Sequence, residues 1–321
     1  MHSIVSDALS RVLSGEALSR EDALRLWDAP AEELFEAART ITRHLAPRTF
    51  NFCSIVNAKS GRCTEDCRWC AQSRHFATDA PEYPLIDEKT ALEAARRTEA
   101  AGIPRFSFVT SGRKLSPREV RDLAKLVRAV RRETSVEVCV SAGLLKEEEL
   151  RQLRDAGVVR YHCNLEASPD YFPKVCTSHT TKDKVETLQA ARRAGLDLCS
   201  GGIIGMGETP ADRIDLALTL RDLGLPSVPI NLLAPIPGTP LESTPLLSEE
   251  DFLRTVAVFR FLLPQAHLRF AGGRARLSEE TVRKALEIGI TSAIAGDLLT
   301  TVGSSVEEDK KRVREAGYEL D

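Results

Sequence analysis

Three cysteines fall close together in the segment Cys63-Thr-Glu-Asp-Cys67-Arg-Trp-Cys70. Thiolates at this spacing can bind a metal ion or cluster without help from a distant part of the chain. A structural zinc site normally takes four ligands. No fourth cysteine lies nearby, and His75 is the single local candidate. Three thiolates on a four-iron cluster leave one iron open to a small molecule, which is the arrangement a reactive cluster needs. A zinc site and a redox-sensing thiol group are the other readings of the same spacing. The remaining thiols are Cys53, Cys139, Cys163, Cys176 and Cys199. Any one of these alone could be a small core hydrophobe. An even cysteine count suggests disulfides in a short secreted chain, a reading that weakens for a large core in a reducing compartment.

Composition bounds what can carry these residues. A chain of 321 residues can bury a large core, as two domains or as one α/β barrel with extensions. The apolar share is 42% and the charged share 28%, which excludes wholesale disorder. The 44 basic and 47 acidic residues give a net charge of −3, so nothing asks for a nucleic-acid or anionic-membrane partner. No apolar run approaches the ~18 residues of a membrane span. The segment MHSIVSDALSRVLSGE has neither a basic start nor an apolar stretch of signal length. The expectation is a cytoplasmic protein.

The first ~45 residues read as short amphipathic helices, with Ser19 capping one that begins at Arg20 and Asp28-Ala-Pro breaking before another. From residue 50, β-rich runs alternate with helical periodicity. The runs are 50–56, 105–111, 135–141, 158–166, 197–205, 227–233, 267–273 and 292–299. Helical stretches include 87–101, 117–133, 146–156, 181–194, 210–223, 248–263 and 278–288. Gly102, Gly157, Gly195, Gly224 and Gly289 stand where a left-handed helix cap is expected. Eight strands separated by helices is the count of a closed parallel (β/α)8 barrel. An open doubly wound sheet is the alternative, but it usually carries a glycine-rich phosphate turn after its first strand. The expected organisation is a helical extension over 1–46, a TIM-type barrel over 47–303 and a C-terminal helix over 304–321. Cys53, Ser107, Cys139, Asn164, Glu166, Cys199, Asn231 and Arg269 fall on or just after strands, where barrel chemistry resides.

The C-x3-C-x2-C loop after a first barrel strand resembles the radical S-adenosylmethionine superfamily. That resemblance implies a 4Fe-4S cluster on Cys63, Cys67 and Cys70, whose open iron takes the cofactor's amino and carboxylate groups. Trp69 stands where such proteins carry an aromatic near the adenine. The likeness is narrower still. NAKSGRCTEDCRWCAQS (57–73), YHCNLEASPDYF (161–172), CSGGIIGMGET (199–209), SVPINLLAPIPGTPL (227–241), LRFAGGR (268–274) and GDLLTTVG (296–303) resemble biotin synthases. Those are homodimeric barrels that insert sulfur between unactivated carbons of dethiobiotin. The family uses an auxiliary iron-sulfur cluster as sulfur donor and a flavodoxin or ferredoxin as reductant.

Residue by residue, the resemblance implies that Cys139, Cys199 and Arg269 hold the auxiliary cluster. The remaining cysteine of the familiar 2Fe-2S site falls on Ser107, a poorer iron ligand than a thiolate. Cys53 and Cys176 are extra thiols, so a larger cluster on Cys53, Cys139, Cys199 and either Cys176 or Cys163 is expected, as in a subgroup of the family. Asn164, Glu166, Lys184 and Ile203 match cofactor contacts. Asn164, Asn231, Thr300 and Thr301 match substrate contacts, the amides suiting a cyclic urea. The glycines of 201–207 do not fit G-x-G-x-x-G, and are expected to let the backbone approach a ligand. Rival readings are a related radical enzyme, of the hydrogenase-maturation or methylornithine-forming kind, and a non-catalytic iron-sulfur carrier.

Overall fold

The structure is a computed structural model that describes residues 3–296 and 305–320. The chain opens with three helices, α1 (Ser3–Leu13), α2 (Arg20–Trp27) and α3 (Ala31–Leu45). Ser19 and Asp22 form a reciprocal capping box at the start of α2. The apolar stripe of α3, with Leu34, Phe35 and Ile41 buried, packs on later helices of the barrel.

Strands and helices then alternate. β1 (Thr49–Lys59) leads through a long loop to α4 (Glu88–Ala100), then β2 (Arg105–Thr110), α5 (Pro117–Glu133), β3 (Glu137–Ser141), α6 (Glu147–Ala156) and β4 (Val158–His162). The short α7 (Phe172–Val175) precedes α8 (Thr181–Arg193), β5 (Asp197–Cys199), β6 (Gly202–Ile204), α9 (Pro210–Asp222) and β7 (Ser227–Leu232). The last units are α10 (Glu249–Leu262), β8 (His267–Phe270), α11 (Glu279–Ile288) and β9 (Ile290–Ile294). Finally α12 (Val306–Glu315) precedes β10 (Glu319–Leu320), which runs beside the start of β1. Side-chain caps on Asp87, Ser116, Thr180, Thr209, Ser248 and Ser278 start the helices where the sequence expects them.

The strands are parallel and ordered β5-β4-β3-β2-β1-β9-β8-β7-β6. β5 and β6 are two halves of one strand, broken at Ser200–Gly201. The first half pairs with β4 and the second with β7, so the ring of eight closes through the backbone itself. Ser200 N donates to Ser227 O (3.0 Å) across this seam. A Cβ on Gly201 would lie 1.9 Å from the Pro229 carbonyl oxygen. The expected closed barrel is therefore present. Its last strand begins at Ile290, slightly earlier than expected, and the expected end at 297–299 lies outside the described residues.

Two expectations about glycine are corrected. Gly289 ends α11 in an extended conformation (φ −170°), not a left-handed one. Its missing side chain serves packing, since a Cβ would sit 3.0 Å from Val256 on α10. The glycines at 201 and 202 admit neighbouring backbone, at Pro229 on β7 and at Glu166 after β4, rather than a ligand. The cradle of N–H groups that follows is filled from within. Glu208 accepts from Gly205 N and Met206 N (both 2.7 Å) and pairs with buried Arg213 (2.7 Å).

Candidate active site

A cavity of about 340 Å³ runs down the barrel, within the size range of small-molecule sites. The three-cysteine loop forms part of its mouth, with Trp69 and Cys70 lining it. Local hydrogen bonds shape this loop. Cys63 N donates to Gln72 O (2.9 Å), and Cys70 N donates to Cys67 O (3.0 Å). Its middle is docked on the segment after β4: Asp66 accepts from the N–H groups of Thr177 and Ser178 (2.9 Å each), and Arg68 N donates to Val175 O (2.9 Å). Burial works against the charge on Asp66, yet these donors hold its carboxyl well below the usual range. Burial pushes the Cys70 thiol up to about 11, and the neighbouring Cys63 adds to that.

The turn after β4 presents Asn164 and Glu166 to the cavity, beside Ile203 and, on the next strand, Asn231. Glu166 is held at φ +72°, a backbone conformation uncommon outside glycine and one that strain-tolerant functional turns use. Asn164 Nδ2 donates to Glu166 Oε2 (3.2 Å), and its Oδ1 accepts from Gly201 N (2.9 Å). Asn231 Nδ2 donates to Gly202 O (3.0 Å), and its Oδ1 accepts from Gly272 N (2.9 Å). Both amides thus brace the glycine breaks in the wall, and each keeps one N–H and one lone pair for a ligand. Burial raises the Glu166 carboxyl, opposed by the cation of Lys184. Lys184 stands behind the turn, its Nζ donating to Asn164 O (2.8 Å) and lying over the Phe172 ring. It positions the turn rather than lining the cavity. His162 also faces the cavity, and burial holds its imidazole down at about 4, so it is neutral.

The floor is made by strands. Cys53 on β1, Cys139 on β3 and Cys199 on β5 line it together with Ser107 and Arg269. Arg269 is 2% exposed, and its guanidinium is held by several acceptors. Nη1 donates to the carbonyls of Asn51 and Ala293 (3.0 Å each) and to Cys53 Sγ (3.2 Å), and Nη2 donates to Asn51 Oδ1 (2.6 Å). Nε reaches Ser227 Oγ (3.4 Å), to which Cys199 Sγ also donates (3.3 Å). Burial pushes the Cys139 thiol up to about 12, with Arg160 acting against it. Arg105 and Arg160 also face this floor and were not singled out from the sequence. The signal was available, because alternation places Arg105 on the face of Ser107, and Arg160 on the face of His162.

Two thiols expected near the floor are elsewhere. Cys163 follows β4 on its outward face and packs in the core under the helices. Cys176 lies at the cluster loop, its Sγ 3.7 Å from Cys67 Sγ. The docking of Asp66 on Thr177 and Ser178 carries it there. Thr300 and Thr301 lie outside the described residues.

This fold and thiol loop define a radical S-adenosylmethionine protein, and the Radical SAM superfamily model matches residues 58–220. The Biotin and Thiamin Synthesis associated domain matches residues 229–319. The chain is 51% identical over 312 residues to a biotin synthase of Porphyromonas gingivalis, covering 97% of this chain and 94% of that protein. It is 49% identical over 317 residues to a biotin synthase of Parabacteroides distasonis, covering 98% and 97%. The chain belongs to the biotin synthase family. Among solved structures, it superposes on methylornithine synthase with a TM-score of 0.82 at 18% identity, covering 98% and 97% of the two chains. An FeFe-hydrogenase maturase from Carboxydothermus hydrogenoformans gives 0.83 at 16%, covering 99% and 79%. These two likenesses concern the fold. Family membership brings a 4Fe-4S cluster, S-adenosylmethionine and an auxiliary iron-sulfur cluster, and the donor sets fit. Soft thiols stand at both ends of one cavity, with the half-buried Glu166 carboxylate also lining it.

Proposed function

We propose that this chain converts dethiobiotin to biotin by radical sulfur insertion. The observation that supports this reading most is the pairing of two separate thiol sets, at the mouth and the floor of one cavity, with spare amide hydrogen-bonding groups between them. When bound, the mouth cluster and S-adenosylmethionine supply a radical able to take hydrogen from carbon that no base could deprotonate, and the floor cluster supplies the sulfur.

The protein's own part is placement. Cys63, Cys67 and Cys70 hold the mouth cluster. Glu166 accepts from the ribose and methionine part of the cofactor, and Trp69 and Ile203 pack on its adenosyl part. Asn164 and Asn231 offer the remaining donor and acceptor of each amide to the ureido ring, and Thr300 and Thr301 take the substrate carboxylate. Arg269, Cys53, Cys139 and Cys199 form the floor site. The thiol missing at Ser107 is supplied by Cys53, which supports an auxiliary cluster other than the familiar 2Fe-2S type. The barrel walls exclude water from a reactive intermediate.

No helix among the described residues is long and apolar enough to cross a membrane. We take the protein to work in the cytoplasm as a homodimer, reduced by a flavodoxin or ferredoxin.

The test is an anaerobic assay of reconstituted protein with S-adenosylmethionine, a strong reductant and dethiobiotin, read by mass spectrometry. Biotin together with 5′-deoxyadenosine is expected. Deoxyadenosine without biotin, from protein shown to carry both clusters, would reject the substrate. Iron and sulfide equal to one 4Fe-4S plus one 2Fe-2S, with a 2Fe-2S spectrum, would reject the altered floor cluster.

A further inference from the structure

Cys176 and His179 take no part in the reading above, yet both are buried at the mouth and hydrogen-bonded to Asp66, Ser178 and Glu65. Among the described residues, Cys67, Cys176 and His179 form a group whose ligand atoms all lie within 4.8 Å of one another. The Cys67 and Cys176 sulfurs are 3.7 Å apart. Two thiolates on one tetrahedral zinc-class ion, each at about 2.3 Å, stand about 3.8 Å apart. His179 Nδ1 lies 2.7 Å from the buried carboxylate of Glu65 and 3.4 Å from Cys176 Sγ, and its Nε2 lies 3.9 Å from the same sulfur. The imidazole edge therefore lies against the sulfur, and the Glu65 carboxylate fixes the ring, as carboxylates do for metal-binding histidines. Ser178 Oγ (2.8 Å) and Arg113 Nη1 (3.4 Å) fix Glu65 in turn. Cys176, His179 and Glu65 are 2%, 8% and 6% exposed. The set is thus prearranged and shielded.

The geometry points to a second metal site: when the mouth cluster is absent, Cys67, Cys176 and His179 hold one soft divalent cation of the zinc class. Two thiolates and an imidazole suit such an ion, and binding releases the thiol protons to solvent. Cys67 belongs to both sites, so the ion and the four-iron cluster exclude each other. An ion held here keeps the loop from taking up iron and sulfide, and the chain's metal history sets how readily it is activated.

The experiment uses the full chain freed of clusters and titrated anaerobically with cobalt(II) as a spectroscopic probe. One cobalt per chain is expected, with thiolate charge-transfer absorption and the visible bands of a tetrahedral ion. Cys176→Ser and His179→Asn should lose these bands, while Cys63→Ser, Cys70→Ser and Cys139→Ser keep them. Glu65→Gln should weaken cobalt binding by roughly 10–100-fold. Zinc added first should slow iron uptake by the unaltered chain and not by His179→Asn. Circular dichroism and thermal unfolding show that each variant is folded, and should Cys176→Ser fail to fold, His179→Asn decides. Bands that survive His179→Asn, or that vanish in Cys63→Ser or Cys139→Ser, would overturn the site, as would cobalt bound without thiolate absorption. The readout involves neither S-adenosylmethionine nor dethiobiotin, so its failure leaves the enzymatic reading standing, and the reverse also holds.

Discussion

At the mouth of the barrel, three thiols ride on one loop between Cys63 and Cys70; at the floor, three thiols come from β1, β3 and β5, far apart in the chain. The loop is shaped by its own turn and by the segment it docks on, so its chemistry travels as a local unit. The floor is shaped by register. Ser107 pairs with Ile55 and with Cys139, and Cys53 lies on the same face of β1 as Ile55. A thiol absent at 107 can therefore be supplied from the adjacent strand, one pleat lower, with no change of fold. The loop has no strand register to shift along, and the one thiol beside it, Cys176, comes from the segment on which it docks. A strand-built site can shift ligands sideways along the sheet, whereas a loop-built site depends on its own spacing.

The widest separation between the two regions should appear in their products. Cys70→Ser is expected to reduce both 5′-deoxyadenosine and biotin to background, with the fold intact by circular dichroism. Cys139→Ser should instead abolish biotin while deoxyadenosine still forms, since the mouth loop does not depend on that strand. Equal loss of both products in Cys139→Ser would erase the distinction. The lateral shift of the thiol is tested next. Cys53→Ser should lose floor iron, and Cys53→Ser with Ser107→Cys should regain a good part of it, measured by iron and sulfide analysis. No recovery in the double variant would mean that depth, as well as face, is fixed.

The two regions also differ in how far the sequence revealed them. The mouth triad is legible because its spacing is local and needs no tertiary information. The helices are legible for the same reason, since caps such as Ser116 and Ser278 act within one turn. Cys139, Cys199 and Arg269 look like ordinary strand residues until strand pairing brings them to one depth, and only family resemblance singled them out. Arg105 and Arg160 show what alternation alone could have added. Cys176 was misplaced because its position follows from Asp66 accepting from Thr177 and Ser178, a contact that no periodicity encodes. Gly289 does cap α11, but without the left-handed conformation that a glycine ending a helix usually takes, and packing against α10 is what requires it.

Smaller effects separate the wall that both regions share from the thiols that belong to neither. Gly201→Ala places a Cβ 1.9 Å from the Pro229 carbonyl, at the seam where the ring closes. Backbone must move on at least one side, and a loss of about 3 kcal/mol in urea unfolding is expected. Because Asn164 Oδ1 accepts from Gly201 N, the same change should raise the KM for substrate more than it affects iron content.

Cys163→Ala should be the mildest of all. The thiol sits in the core, 7% exposed, on the outer side of the barrel wall, one residue from the cavity-facing His162 and Asn164. Removing it costs little packing volume, about 1 kcal/mol at most. Iron at both the mouth and the floor should stay unchanged, as should both products. A loss of floor iron in Cys163→Ala would place that thiol among the ligands, and would require β4 to rotate by one residue relative to its pairing of Arg160 with Cys139 and Asp197. Such a rotation would turn Glu166 and Asn164 out of the cavity as well, so the same variant would then have to lose cofactor binding. Floor iron and cofactor affinity, measured together on this one substitution, therefore test the register on which the whole strand-built site depends.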